Sequence, residues 1–269
     1  MTTNQKASEH DVLTQDNAEK RARRISNCAY EIHLDLVKGS PTYLGKVIIT
    51  FSDTGGEQLD LNFRCQTINQ MTLNGKTINP EFKGRNLVLQ NADLEENNKL
   101  EINYINEYDH GGDGFHQFLD PEDGEEYLYT NFEPFDAHRL FPCFDQPDLK
   151  ATYQLTVTAP EEWELIANSL EESTQPASDN RITRIYAETK PFSTYLFALI
   201  AGPYHAFRDD YNGTPIGLFC RKSMAQYLDT EELFTITKKG LDFFEEFFDY
   251  PYAFGKYDQI FVPEFNHGA

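Results

Sequence analysis

The chain has 269 residues, 39% hydrophobic and 14% aromatic, enough to build a core and unlike a disordered segment. Its formal net charge of -21 opposes phosphate backbones and anionic lipid, which argues against nucleic-acid and membrane-surface roles. Cys28, Cys65, Cys143 and Cys220 are too scattered for a metal knuckle or redox pair, and read as small buried hydrophobes in a reducing compartment.

The opening "MTTNQKASEHDVLTQDNAEKRARR" lacks the apolar centre of a signal peptide, and no later run is long enough to span a bilayer. A cytoplasmic location is therefore expected. A turn or two of helix is expected around "NAEKRARR". The period then becomes two. In "NCAYEIHLDLV", Tyr30, Ile32, Leu34 and Leu36 share one face, while Glu31, His33 and Asp35 take the other. The same alternation marks "GKVIITF", "QLDLNF", "KLEINYI" and "ATYQLTVTAP". Asn74-Gly75 signals a hairpin turn. Closely spaced half-polar strands predict antiparallel sheets in a β-sandwich or saddle over about the first two hundred residues.

Leu196 to Ala201 is apolar throughout and predicts a strand covered on both faces. "RDDYNGTP" follows the Gly202-Pro203 break and reads as a linker, with a domain boundary nearby. Beyond it, "TPIGLFCRK" is strand-like. "DTEELFTITKKGLDFFEEFFDYP" is a helix capped by Asp229 or Thr230, with Glu231 and Glu232 at the positive end of its dipole. Phe234, Leu241, Phe244 and Phe248 form an apolar stripe expected to pack in a core. "DQIFVPEF" is a final strand.

No complete active site is evident. The histidines include no H-E-x-x-H pair, and no G-x-S-x-G elbow occurs. "HGGDGFH", between His110 and His116, lacks the lysine and helix of a phosphate loop and reads as a flexible turn. Glu133 lies between aromatics and Pro134, a stiff setting at a strand end that suits a carboxylate meeting a ligand cation. Asp145, in the turn-rich "FPCFDQPD", is expected to make local turn bonds.

The stretch "YLYTNFEPFDAHRLFPCFDQPDLKATYQLTV" resembles the zinc-dependent aminopeptidase N family, which includes leukotriene A4 hydrolase. So do "FALIAGPYH" and "VPEFNHGA", the latter like the lead-in to that family's G-A-M-E-N motif. The resemblance runs from about Ser26 onward. It implies a polar extension over 1–25, a β domain over 26–204, and the truncated α/β start of a thermolysin-like catalytic domain over 205–269. It also implies that the chain stops inside the motif, with zinc held by residues farther on and no catalytic or metal-binding residue in these 269. By resemblance, Glu133 binds the free α-amine of a peptide substrate. Asn131 stands at a position usually held by Gln, and Gly268 and Ala269 line the cleft. The implied activity is removal of single residues from peptide N-termini. The alternative is a non-catalytic relative that uses the β scaffold for protein interaction.

Overall fold

The computed structural model describes residues 13–56 and 58–266. Helix α1 (Gln15–Arg24) leads into β1 (Ile25–Asp35), β2 (Thr42–Asp53), β3 (Leu59–Asn62), β4 (Thr67–Leu73) and β5 (Lys76–Thr77). Next come β6 (Phe82–Lys83), β7 (Asn86–Leu89), β8 (Asn97–Glu107), β9 (Gly114–Leu119), β10 (Glu126–Asn131) and β11 (Ala151–Pro160). The chain continues through β12 (Glu164–Ala167), β13 (Glu171–Pro176), β14 (Arg181–Tyr186) and β15 (Leu199–Gly202). It closes with β16 (His205–Tyr211), β17 (Thr214–Cys220), α2 (Thr230–Phe248) and β18 (Tyr257–Phe261).

The described strands form four sheets. One has eight strands in the order β13-β14-β11-β1-β2-β8-β4-β5, and another has four, β12-β15-β10-β9. Two have three strands each, β3-β7-β6 and β16-β17-β18. The mostly β class is the one that the period-two alternation predicts. Along β1, Tyr30, Ile32 and Leu34 are buried and register with Ile49, Val47 and Gly45 of β2. Pairing is mainly antiparallel, but β1 with β11 and β17 with β18 run parallel. Alternation is blind to that direction, because it reports which face is wet and not which way the neighbour runs. Asn74 and Gly75 take φ of 52° and 78° and turn β4 into β5, as the Asn-Gly signal predicts.

Much of the irregular stretch after β10 lies inside the molecule, although Glu133 and Pro134 are exposed. Phe132, Leu140, Phe141 and Phe144 are buried, each contributing about 1.5–3 kcal/mol by leaving water. Phe141 packs edge-on to Tyr30 and Phe197, with centroids 5.8 and 5.2 Å away. Buried backbone outside a sheet needs other hydrogen-bond partners. Tyrosines from the large sheet provide them. Tyr104 Oη donates to the Leu140 carbonyl at 2.9 Å, and the Phe144 N–H donates to Tyr30 Oη at 3.1 Å.

Four expectations change. Helix α1 spans Gln15–Arg24 and is docked: Arg21 is buried, its Nε donating to Gln146 at 2.9 Å and Nη1 to Asn62 at 2.9 Å. "RDDYNGTP" is no linker. It forms the end of β16 and a tight turn at Asn212 and Gly213 (φ 51° and 88°) into β17. The apolar run near 200 begins as a strand only at Leu199, since Leu196 closes a 3-10 turn and is exposed. Helix α2 is capped as predicted, with Asp229 accepting from the Glu232 N–H at 3.0 Å, yet none of its residues is buried. Phe244 and Phe248 stack on each other at 6.0 Å but are exposed, and Phe234 and Leu241 are half-buried. The stripe is real, but the described residues do not cover it.

Cys28, Cys143 and Cys220 are buried and Cys65 partly so, with all four thiols free. Burial pushes the Cys28 and Cys65 thiols up to about 12, so they are poor nucleophiles. No helix among the described residues is long and apolar enough to cross a membrane.

Candidate functional site

Three segments distant in sequence meet at the end of β10. The first is β10 itself, where Asn131 pairs across the ladder with Gly114 of β9. Asn131 is buried, and its Nδ2 donates to the Gly112 carbonyl at 2.9 Å and to Asp113 Oδ1 at 3.3 Å. Both donor bonds point the amide into the glycine-rich loop. That leaves Oδ1 as the free acceptor, with no donor to it among the described residues. Phe132 is buried and anchors the chain as it leaves the strand. Glu133 follows, exposed, with a cis bond to Pro134. No hydrogen-bond or ion-pair partner for its carboxylate occurs among the described residues.

The second segment is the loop "HGGDGFH", and it is built rather than slack. Asp109 beneath it is held by Arg64 and Arg139 at 2.5 and 2.6 Å, and accepts from the Phe115 N–H at 3.2 Å. Gly114 has φ +75°, and a Cβ there would lie 2.0 Å from Asp109 Oδ2. Only glycine satisfies both demands. His110 Nδ1 contacts the Gln117 carbonyl at 3.1 Å, and His116 Nδ1 accepts from the Gly112 N–H at 3.0 Å. The two histidines are thus tied to backbone, and no group of three or more His, Cys, Asp or Glu suited to a metal occurs among the described residues.

The third segment is 263–266, just past β18. Asn266 Nδ2 donates to the Gly111 carbonyl at 2.6 Å, and Tyr129 Oη donates to the Glu264 carbonyl at 3.2 Å. His116 Nε2 lies 3.2 Å from Glu264 Oε2. Gly112 sits beneath this segment, where a Cβ would come within 2.4 Å of the Glu264 carbonyl. Burial lowers the His116 pKa, and the nearby Glu264 carboxylate only partly offsets that. His116 is therefore held neutral in the fold.

Of the residues expected in the site, Asn131 and Glu133 lie at this junction, while Gly268 and Ala269 fall outside the described residues. The 263–266 segment that leads to them reaches the loop that holds Asn131. Sequence reading missed Gly112, His116, Tyr129 and Glu264. The available signal was "HGGDGFH": two glycines flanking an aspartate beside a strand mark close backbone approach as readily as slackness.

The family profile of the peptidase M1 N-terminal domain matches residues 26–196. The chain belongs to that family. Aminopeptidase N of Streptomyces lividans is 40% identical over 267 residues, covering 96% of this chain and 30% of its own length. Glutamyl aminopeptidase of Mus musculus is 32% identical over 159 residues, covering 58% of this chain and 17% of its own. A probable aminopeptidase 1 of Sulfurisphaera tokodaii is 29% identical over 242 residues, covering 89% of this chain and 29% of its own. The chain thus spans less than a third of each of these relatives.

Proposed function

We propose that this chain is the amino-terminal part of a cytoplasmic zinc aminopeptidase that removes single residues from peptides, and that it supplies recognition of the substrate's free α-amine. On this reading residues 26–204 form the β domain, 205–269 begin the catalytic domain, and 1–25 are an extension. The observation that carries it is the unpartnered Glu133 carboxylate, placed two residues beyond the oriented Asn131 amide where the 263–266 segment docks. The peptidase relatives support the same reading.

An aminopeptidase must require a chain end, and a terminal ammonium is a compact cation with three donors. Glu133 accepts one in a charge-assisted bond of about 1.5–3 kcal/mol net. Asn131 Oδ1 is a second acceptor, left without a donor among the described residues because Nδ2 is the atom held by the loop. An internal peptide offers no cation. Glu133 is exposed, so it is not penalised when empty. The penalty arises when a substrate without an amine covers the carboxylate and strips its water. On this reading a bound zinc would supply Lewis-acid polarisation of the scissile carbonyl. The described residues give no cluster to hold it, and their part is binding and orientation.

The test is kinetic. In the complete gene product, Glu133→Ala should lower kcat/KM for an aminoacyl chromogenic substrate roughly tenfold per 1.4 kcal/mol lost. An N-acetylated version of that substrate should be a poor substrate for both proteins. Unchanged kinetics in Glu133→Ala would remove the residue from the site.

A further inference from the structure

His116 is wholly buried on β9, its ring centroid 5.0 Å from that of Tyr129. Its Nδ1 accepts the Gly112 N–H, so in the neutral ring the proton resides on Nε2. Buried, that N–H has no well-aligned hydrogen-bond partner among the described residues. It faces Glu264 Oε2 at 3.2 Å, within ion-pair distance of this exposed carboxylate. Gly112, fixed by His116 through its N–H, offers its carbonyl to Asn131 Nδ2. One imidazole therefore links Glu264, in the segment after β18, to the amide of Asn131 at the end of β10.

We propose that His116 is a positioning residue that sets the spacing between Asn131 at the end of β10 and the 263–266 segment, acting through Glu264 on one side and Gly112 on the other. It touches no substrate. The inference rests on the aminopeptidase reading above but adds a residue and contacts outside that reading. Its signature is on substrate capture: loosening the clasp moves Asn131 and the 263–266 segment apart and raises KM, leaving chemistry carried elsewhere largely intact.

The experiment uses the complete gene product with His116→Asn, His116→Gln, Glu264→Ala and the His116→Asn/Glu264→Ala double variant. Asn keeps an acceptor near Nδ1 for Gly112 but loses the donor to Glu264, while Gln keeps a donor near Nε2. His116→Asn and Glu264→Ala should each raise KM about five- to tenfold with kcat within about twofold. The double variant should be no worse than either single one. His116→Gln should recover only part of the KM, because it keeps the donor to Glu264 but loses the acceptor for the Gly112 N–H. Amide hydrogen exchange should quicken at 111–114 and 263–266 in His116→Asn, while the eight-stranded sheet stays protected. Additive effects, or a fall in kcat at constant KM, overturn the proposal. Unchanged exchange at both segments does so too, and that readout decides even if the gene product cleaves no aminoacyl substrate, an outcome that defeats the aminopeptidase reading instead.

Discussion

Two carboxylates in one short stretch, Glu133 and Asp145, have opposite surroundings. Asp145 is wholly buried and accepts from the His138 N–H at 3.1 Å, His138 Nδ1 at 2.8 Å and Thr194 Oγ1 at 2.7 Å. Every one of those donors belongs to the protein. Glu133 is exposed and has no such donor among the described residues. A charge whose hydrogen bonds are made internally holds the fold together, whereas one left open beside a rigid strand end is available to a ligand. The pair also corrects the expectation that Asp145 makes only local turn bonds, since Thr194 is 49 positions away.

The contrast can be broken most directly at its closed end. Asp145→Ala strands two donors of His138 and the Thr194 hydroxyl, and should cost about 3–5 kcal/mol in chemical unfolding. A loss below about 1 kcal/mol would mean that the node is not structural. Next in size is Gly112→Ala, where the new methyl meets the Glu264 carbonyl and φ is +82°. It should cost about 1–3 kcal/mol. The cost should appear mainly as faster proteolysis near 263–266, and a uniform loss of stability would argue against a local clasp.

A smaller effect concerns acid. The folded His116 pKa lies below its ordinary 6.5, so the unfolded chain takes up the proton first as pH falls. Its contribution to stability is complete above about pH 6.5 and is lost towards the lower folded value. The groups acting on the ring are Glu264 and Asp109, which favour the charged form, and His110, which opposes it. Half-buried His33, depressed by burial and Lys46, acts in the same direction. The melting temperature should therefore drop as pH falls through about 6.5 and below, and His116→Asn should flatten only part of that drop. An unaltered slope removes His116 as a contributor. Smallest of all, Glu133→Ala should change stability by no more than about 0.5 kcal/mol, which separates its kinetic effect from damage to the fold.

What could be read in advance follows the same division. Strands such as β1 declare themselves because burial on one face dictates every second residue, and Asn74-Gly75 because φ above zero favours those residues. Asn131 and Glu133 were legible only through resemblance, since an isolated glutamate before proline has many uses. His116 was not legible, because Glu264 lies 148 positions away, from 264 − 116, and no periodicity encodes such a contact. Asn212-Gly213 carried the same hairpin signal as Asn74-Gly75, but the aspartates before it obscured the strand. The α2 phenylalanines show the reverse error. An apolar stripe states that a face wants cover, and says nothing of whether the cover lies within the described residues.

The parallel neighbour of β1 bears on how the chain matures on a ribosome. Residues 28–35 can pair with β2 almost as soon as they emerge, but their other edge waits for 151–158. Until those are translated, a row of amides and carbonyls stands open, able to capture a stray strand from another nascent polypeptide. Ordering this sheet requires closing a loop of more than a hundred residues, a long-range step that favours slow assembly and early help from chaperones.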